Sequence, residues 1–128
     1  MKALHLGLAG SALLAFAAVF AADARAADEA RHAAAVRNYD TYCAQCHGLR
    51  RNGTGVNSPF MSVKPRDHTD PKAMGDLPDD QIFRAIKEGG LANNRSILMP
   101  SFKSVLTDEQ ITEMVAYLRQ VCRCGPSR

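Results

Sequence analysis

A chain of 128 residues with 16 Lys and Arg against 13 Asp and Glu carries a formal net charge of +3. That balance is too weak for a nucleic-acid surface, and no basic stripe alternates with aromatic residues. With no Trp and 6% aromatic residues, so short a chain also lacks the side chains of a strong core, and such domains are commonly completed by a staple, a metal or a cofactor.

The first segment reads as an address. Lys2 gives a positive start, residues 4–22 are rich in Ala, Leu, Phe and Val without a charge, and Ala24-Arg25-Ala26 has the small-x-small pattern of a signal-peptidase site. Residues 1–26 are therefore predicted to be a signal peptide cleaved after Ala26, leaving 27–128 as one functional domain. A retained N-terminal membrane anchor is the alternative, because the apolar run is marginal for a span. Both readings place the domain in an oxidising, extracytoplasmic space, the periplasm. Setting aside Lys2, Arg25 and Asp23 leaves 14 basic and 12 acidic residues, a formal +2.

Three helices are predicted in the mature chain. The first runs from Asp28 to about Tyr42, with Asp28 and Glu29 complementing the helix dipole and Ala35, Tyr39 and Tyr42 on adjoining faces. From Gly48 to Gly75 the chain holds Gly53, Gly55, Pro59, Pro65 and Pro71 without a sustained period, so it reads as loop. A loop that long in a compact domain makes sense if it wraps a bound object. The second helix starts at Pro78 or Asp79, buries a stripe of Ile82, Phe83 and Ile86, and stops after Glu88 at Gly89-Gly90. The third opens on a capping box, Thr107 with Gln110. Ile111, Met114, Val115, Leu118, Val121 and Cys122 then recur at helical spacing up to Gly125-Pro126. No repeat, low-complexity tract or strand pattern is present.

The chemistry concentrates in YCAQCHG, where Cys43 and Cys46 flank two residues and His47 follows directly. A redox dithiol would sit in an α/β pattern, which is missing here. A structural zinc site would need a second Cys or His pair, and Cys122-x-Cys124 has the wrong spacing. Cys-x-x-Cys-His is instead the attachment signal for c-type haem, with two thioethers to the vinyl groups and the imidazole as proximal iron ligand. One turn of helix places both sulfurs at one porphyrin edge and swings the imidazole beneath the iron. One covalent haem c is the expected cofactor.

With these residues in view the chain resembles the class I cytochromes c over essentially the whole mature sequence. The resemblance implies an all-α fold, with an N-terminal helix entering the CxxCH turn, a haem-wrapping loop, and a C-terminal helix crossing the first. Ala35 and Tyr39 match the family's small residue and aromatic before the first cysteine, and Met114 and Tyr117 in MVAYL match their counterparts on the last helix. Pro59, twelve residues past His47, falls where the family commonly has a proline whose carbonyl accepts the imidazole Nδ1–H.

The second axial position decides function, because a protein ligand there favours electron transfer and an open site favours small-ligand chemistry. Met61, Met74, Met99, Met114, His32 and His68 are the candidates. Met114 sits on an apolar helix face, Met74 in a polar turn and His68 in a charged turn, while His32 belongs to the first helix, too close in sequence to reach the opposite face. Met61 shares an apolar patch with Phe60 and Val63, a haem-pocket position in the family. Met99 lies in SILMPSF, where Pro100 restricts it to extended conformations, and this Met-Pro context matches the family's axial methionine. A loop methionine packed under the third helix is the alternative.

The expected function is therefore a periplasmic, monomeric one-electron carrier and not an enzyme, with His47 and Met99 on iron and with other redox proteins as transient partners at the haem edge. No small-molecule substrate is expected. Ala44, Gln45, Phe60 and the Asn93-Asn94-Arg95 turn are candidates to border that edge, and Arg66 and Arg95 to pair with haem propionates. The alternatives are a haem c enzyme subunit or small-ligand sensor with an open sixth site, and a thiol oxidoreductase. Cys122 and Cys124 are expected to be oxidised to each other in a strained ring, against an inter-subunit disulfide or a copper-relay role.

Overall fold

The computed structural model describes residues 8–125, with side chains from residue 23 onward; Lys2, the beginning of the predicted leader and Pro126 lie outside them. The chain divides into two units, one through Ala33 and one from Ala34 onward. In the first unit residues 8–33 are helical as part of α1 (Leu8–Tyr42), and the side chains from Asp23 are exposed. Arg31 pairs with Asp28 one turn away. Helix is continuous through the start predicted at Asp28, because the Ala-rich segment upstream is made of strong helix formers. Among the described residues no helix is long and apolar enough to cross a membrane.

The second unit contains the remainder of α1, α2 (Ala44–His47), α3 (Pro71–Gly75), α4 (Asp79–Glu88) and α5 (Asp108–Cys122), with 3₁₀ turns at Ser58–Phe60 and Gly90–Asn93. No strand occurs among the described residues. The two later helices obey their caps. Pro78 precedes α4, with Asp79 and Asp80 in its first turn. The Thr107 hydroxyl accepts from Gln110 N at 3.2 Å while the Gln110 side chain accepts from Thr107 N at 2.9 Å, closing the capping box of α5. The segment predicted as featureless loop contains α3, where the Asp70 carboxylate accepts from Lys72 N and Ala73 N at 2.9 and 3.0 Å. Asp70-Pro71 is a cap followed by a first-turn proline, but five residues are too few to show a period.

Ala35 and Tyr39 of α1, Ile82 and Ile86 of α4, and Ile111, Met114, Val115, Tyr117 and Leu118 of α5 form one core, each at most 6% exposed. The first and last helices meet where the Tyr39 and Tyr117 rings pack edge to face at 5.7 Å, a favoured aromatic geometry. Met74, expected in a polar turn, belongs to this core at 1% exposure because α3 packs against α5.

Helix α5 ends at Arg123, which takes the left-handed conformation (φ 51°), before the predicted Gly125. That turn brings the Cα atoms of Cys122 and Cys124 to 5.2 Å, inside the ordinary disulfide span, and the two are bonded. The expected bond within one chain is thus formed across a local turn that the sequence does not advertise. One turn earlier Arg119, with 11% of its side chain exposed, donates to the Met74 carbonyl at 2.7 Å and to the Leu77 carbonyl, and pairs with Asp79 at 2.7 Å. It ties α5 to the segment linking α3 and α4. Arg119→Ala leaves these carbonyls without their donor, and the holoprotein should lose about 2–4 kcal/mol in a urea titration; a loss below about 0.5 kcal/mol would refute the clamp.

Candidate cofactor site

Helix α1 stops at Tyr42 and α2 restarts at Ala44, so the chain bends at Cys43 and presents Cys43, Cys46 and His47 on one short turn. His47 N donates to the Cys43 carbonyl at 2.9 Å, which completes the turn. Cys43 and Cys46 are free thiols, half-buried. Cys122 and Cys124 are bonded to each other, so they are not the second half of a zinc site. Burial, and then the neighbouring Cys46, push the Cys43 thiol up to about 12. A thiol redox centre needs the opposite shift, toward thiolate.

His47 Nδ1 lies 3.0 Å from the Arg66 carbonyl oxygen. A carbonyl only accepts, so Nδ1 carries the proton and Nε2 keeps its lone pair. Burial lowers the His47 pKa, partly offset by this bond, and the ring is neutral as a metal ligand must be. The acceptor is not Pro59. Pro59 is exposed in the 3₁₀ turn, where its carbonyl receives Lys64 Nζ at 3.4 Å. The chain reaches the imidazole one segment later because Gly53 lets it approach: a Cβ there would lie 2.5 Å from the Pro65 carbonyl oxygen.

These groups open on a cavity of about 400 Å³, within the range of ligand sites. Cys43, Cys46, His47, Met61, Arg66, Met99 and Arg95 all line it, as do Met74 and Met114. Pro59, Ala44, Gln45 and Phe60 do not. Ala44 is 8% exposed, too buried to border an open edge, whereas Phe60 is 88% exposed. His32 belongs to the first unit. His68, expected in a charged turn, is buried and lines the cavity. Its burial is not legible in the sequence because its partner Tyr39 lies 29 residues away.

Arg66 donates from Nη1 to the Ala73 carbonyl at 3.2 Å. Burial and the charge of Arg95 lower its pKa, partly offset by Asp70; both guanidinium groups line the cavity, and neither has an ion-pair partner within 4 Å among the described residues. They suit a ligand that brings its own carboxylates. Two thiols, an imidazole with a bare Nε2, thioethers and paired cations together make a donor set that fits a haem.

Met99 stands on a loop pressed against the end of α4. Gly90 N donates to the Met99 carbonyl at 3.0 Å, and Met99 N donates to the Ser96 carbonyl at 3.3 Å. A Cβ on Gly90 would lie 2.2 Å from the Ser96 carbonyl oxygen and 3.2 Å from Met99 Cβ, so the backbone itself requires glycine there.

A family model described as cytochrome c oxidase, cbb3-type, subunit III matches residues 30–118. The chain belongs to this family of c-type cytochrome domains. The solved c-type cytochrome KustC0563 superposes with a TM-score of 0.55 at 26% identity, covering 67% of this chain and 94% of that one. A chain of the reducing HAO-like protein complex Kustc0457/Kustc0458 of Kuenenia stuttgartiensis gives a TM-score of 0.54 at 33% identity, covering 69% of this chain and 41% of that one. The quinohemoprotein alcohol dehydrogenase ADH-IIG of Pseudomonas putida is 32% identical over 91 residues, which are 71% of this chain and 11% of that protein. The cytochrome thus spans a small part of that curated relative.

The contact at Gly90 yields a test of the Met99 loop. Gly90→Ala should displace the segment from Ser96 to Met99 and cost about 1–3 kcal/mol of stability. The cytochrome's Met99 methyl resonance should move with it, and an unmoved resonance at unchanged stability would refute the packing.

Proposed function

We propose that this cytochrome is a periplasmic one-electron carrier, exported by a leader cleaved after Ala26, with one haem c held on Cys43 and Cys46 and ligated by His47 and Met99. The observation that carries the reading is the bond from His47 Nδ1–H to the Arg66 carbonyl at 3.0 Å, which turns Nε2 free beside two unpaired thiols. When bound, the haem supplies a one-electron Fe(III)/Fe(II) couple. The residues do the rest. His47 is kept neutral and oriented by its carbonyl partner, which also raises its basicity. Met99 is supported by a glycine-packed loop and by Pro100, and a thioether ligand favours a high potential. Neither ligand has to gain or lose a proton on redox change. The guanidinium groups of Arg66 and Arg95 neutralise propionates, and the apolar walls exclude water. Met61 completes the wall of the pocket.

The proposed partners are other redox proteins that dock transiently at the haem edge. The likeness to part of a quinohemoprotein alcohol dehydrogenase supports a dehydrogenase among them. Phe60, Gln45 and the Asn93-Asn94-Arg95 turn remain candidates for the docking surface.

Intact mass after acid–acetone extraction should equal the polypeptide from Ala27 plus one haem, and Cys43→Ala with Cys46→Ala should abolish that increment. A mass equal to the bare chain would end the haem reading.

Met99→Ala should remove the weak near-red charge-transfer band of the oxidised protein, lower the reduction potential, and let carbon monoxide bind the ferrous form. Unchanged spectrum and potential would move the sixth ligand elsewhere, or leave a sensor-like open site if carbon monoxide already binds the unmodified protein.

A further inference from the structure

The chemistry above makes no use of His68. Its imidazole lies against the face of His47, with ring centroids 4.2 Å apart and planes within 15°. Three independent contacts hold it there. Its Nδ1 shares a hydrogen bond with Tyr39 Oη at 3.1 Å, and its backbone N donates to the Arg51 carbonyl at 2.7 Å. The Asp67 carboxylate accepts from Thr69 N at 2.7 Å and from Thr69 Oγ1 at 2.6 Å, fixing the turn that carries it. Tyr39 is itself braced, between Tyr117 and an Arg51 guanidinium 4.9 Å above its ring that pairs with Asp40 at 2.7 Å.

We propose that His68 is a positioning residue which sets the rotation of the His47 imidazole about its bond to iron, by stacking on the ring face. The proposal rests on the haem reading and deepens it. The Arg66 carbonyl holds His47 at a single atom, and one hydrogen bond tolerates a broad range of ring tilt. A parallel ring in van der Waals contact does not, because turning the imidazole drives its edge into its neighbour in a close-packed interior. The plane of an axial imidazole decides how its π system overlaps the iron d orbitals. In the oxidised protein that overlap is read in the order and spread of the haem methyl proton resonances.

The experiment compares the covalently loaded wild type with His68→Ala and His68→Phe, after intact mass has verified one haem in each. His68→Ala should change the order of the hyperfine-shifted methyl resonances or narrow their spread. His68→Phe keeps a stacking ring but cannot bond Tyr39, and should restore the wild-type order. A wild-type pattern in His68→Ala overturns the proposal, and so does the same altered pattern in both variants, which would track the lost hydrogen bond. If His68→Ala does not retain haem, His68→Leu keeps the volume without the ring and is judged by the same outcomes. Absence of haem from the wild type would instead overturn the cofactor reading.

Discussion

The bond between His47 Nδ1 and the Arg66 carbonyl ties together two segments 19 residues apart, and much of the site depends on it. It selects one tautomer and so decides which ring nitrogen faces the cavity. It requires the loop after the CxxCH turn to return to the histidine, which the chain achieves by passing the Pro65 carbonyl close over Gly53. A buried imidazole without that acceptor would leave an unsatisfied donor, at a cost of about 1–3 kcal/mol. The loop is therefore part of what orients His47.

Around this point the domain is built as a shell. Helices α4 and α5 pack together and α3 packs on α5. Tyr39 and Tyr117 close the contact between α1 and α5, and Arg119 ties the α3–α4 connection to α5. Each element turns apolar side chains to the cavity, including four methionines whose flexible thioethers adapt to an irregular wall.

The same scaffold occurs in different contexts. KustC0563 is spanned almost completely by the matched region, whereas ADH-IIG contains it as 11% of its length. The shared region is the c-type cytochrome domain, which binds haem and transfers electrons. Phe60, Leu91, Ile97 and Leu98 keep exposed apolar side chains on this domain, while hydrogen bonds and the close approach to Gly90 hold the backbone between Gly90 and Met99.

Local chemistry made several features legible without a fold. Five adjacent residues define the CxxCH turn, a capping box needs only Thr107 and Gln110, and the α5 core face follows from helical spacing, so sequence fixes these within a few bonds or turns. The partners of those residues depend on long-range approach. Pro59 stands at a plausible distance along the chain from His47, but space selects the Arg66 carbonyl, because the approach over Gly53 is set by the whole loop. Met74 and His68 sit among polar neighbours in sequence and are buried because α3 packs on α5 and Tyr39 faces the cavity. The left-handed turn at Arg123 has no glycine to announce it, yet it brings Cys122 and Cys124 together. Sequence by itself determined the CxxCH turn and the helical pattern, whose range is one turn; tertiary structure decided which distant carbonyl, ring and cation would stand beside them, since burial and hydrogen-bond satisfaction are properties of the packed chain.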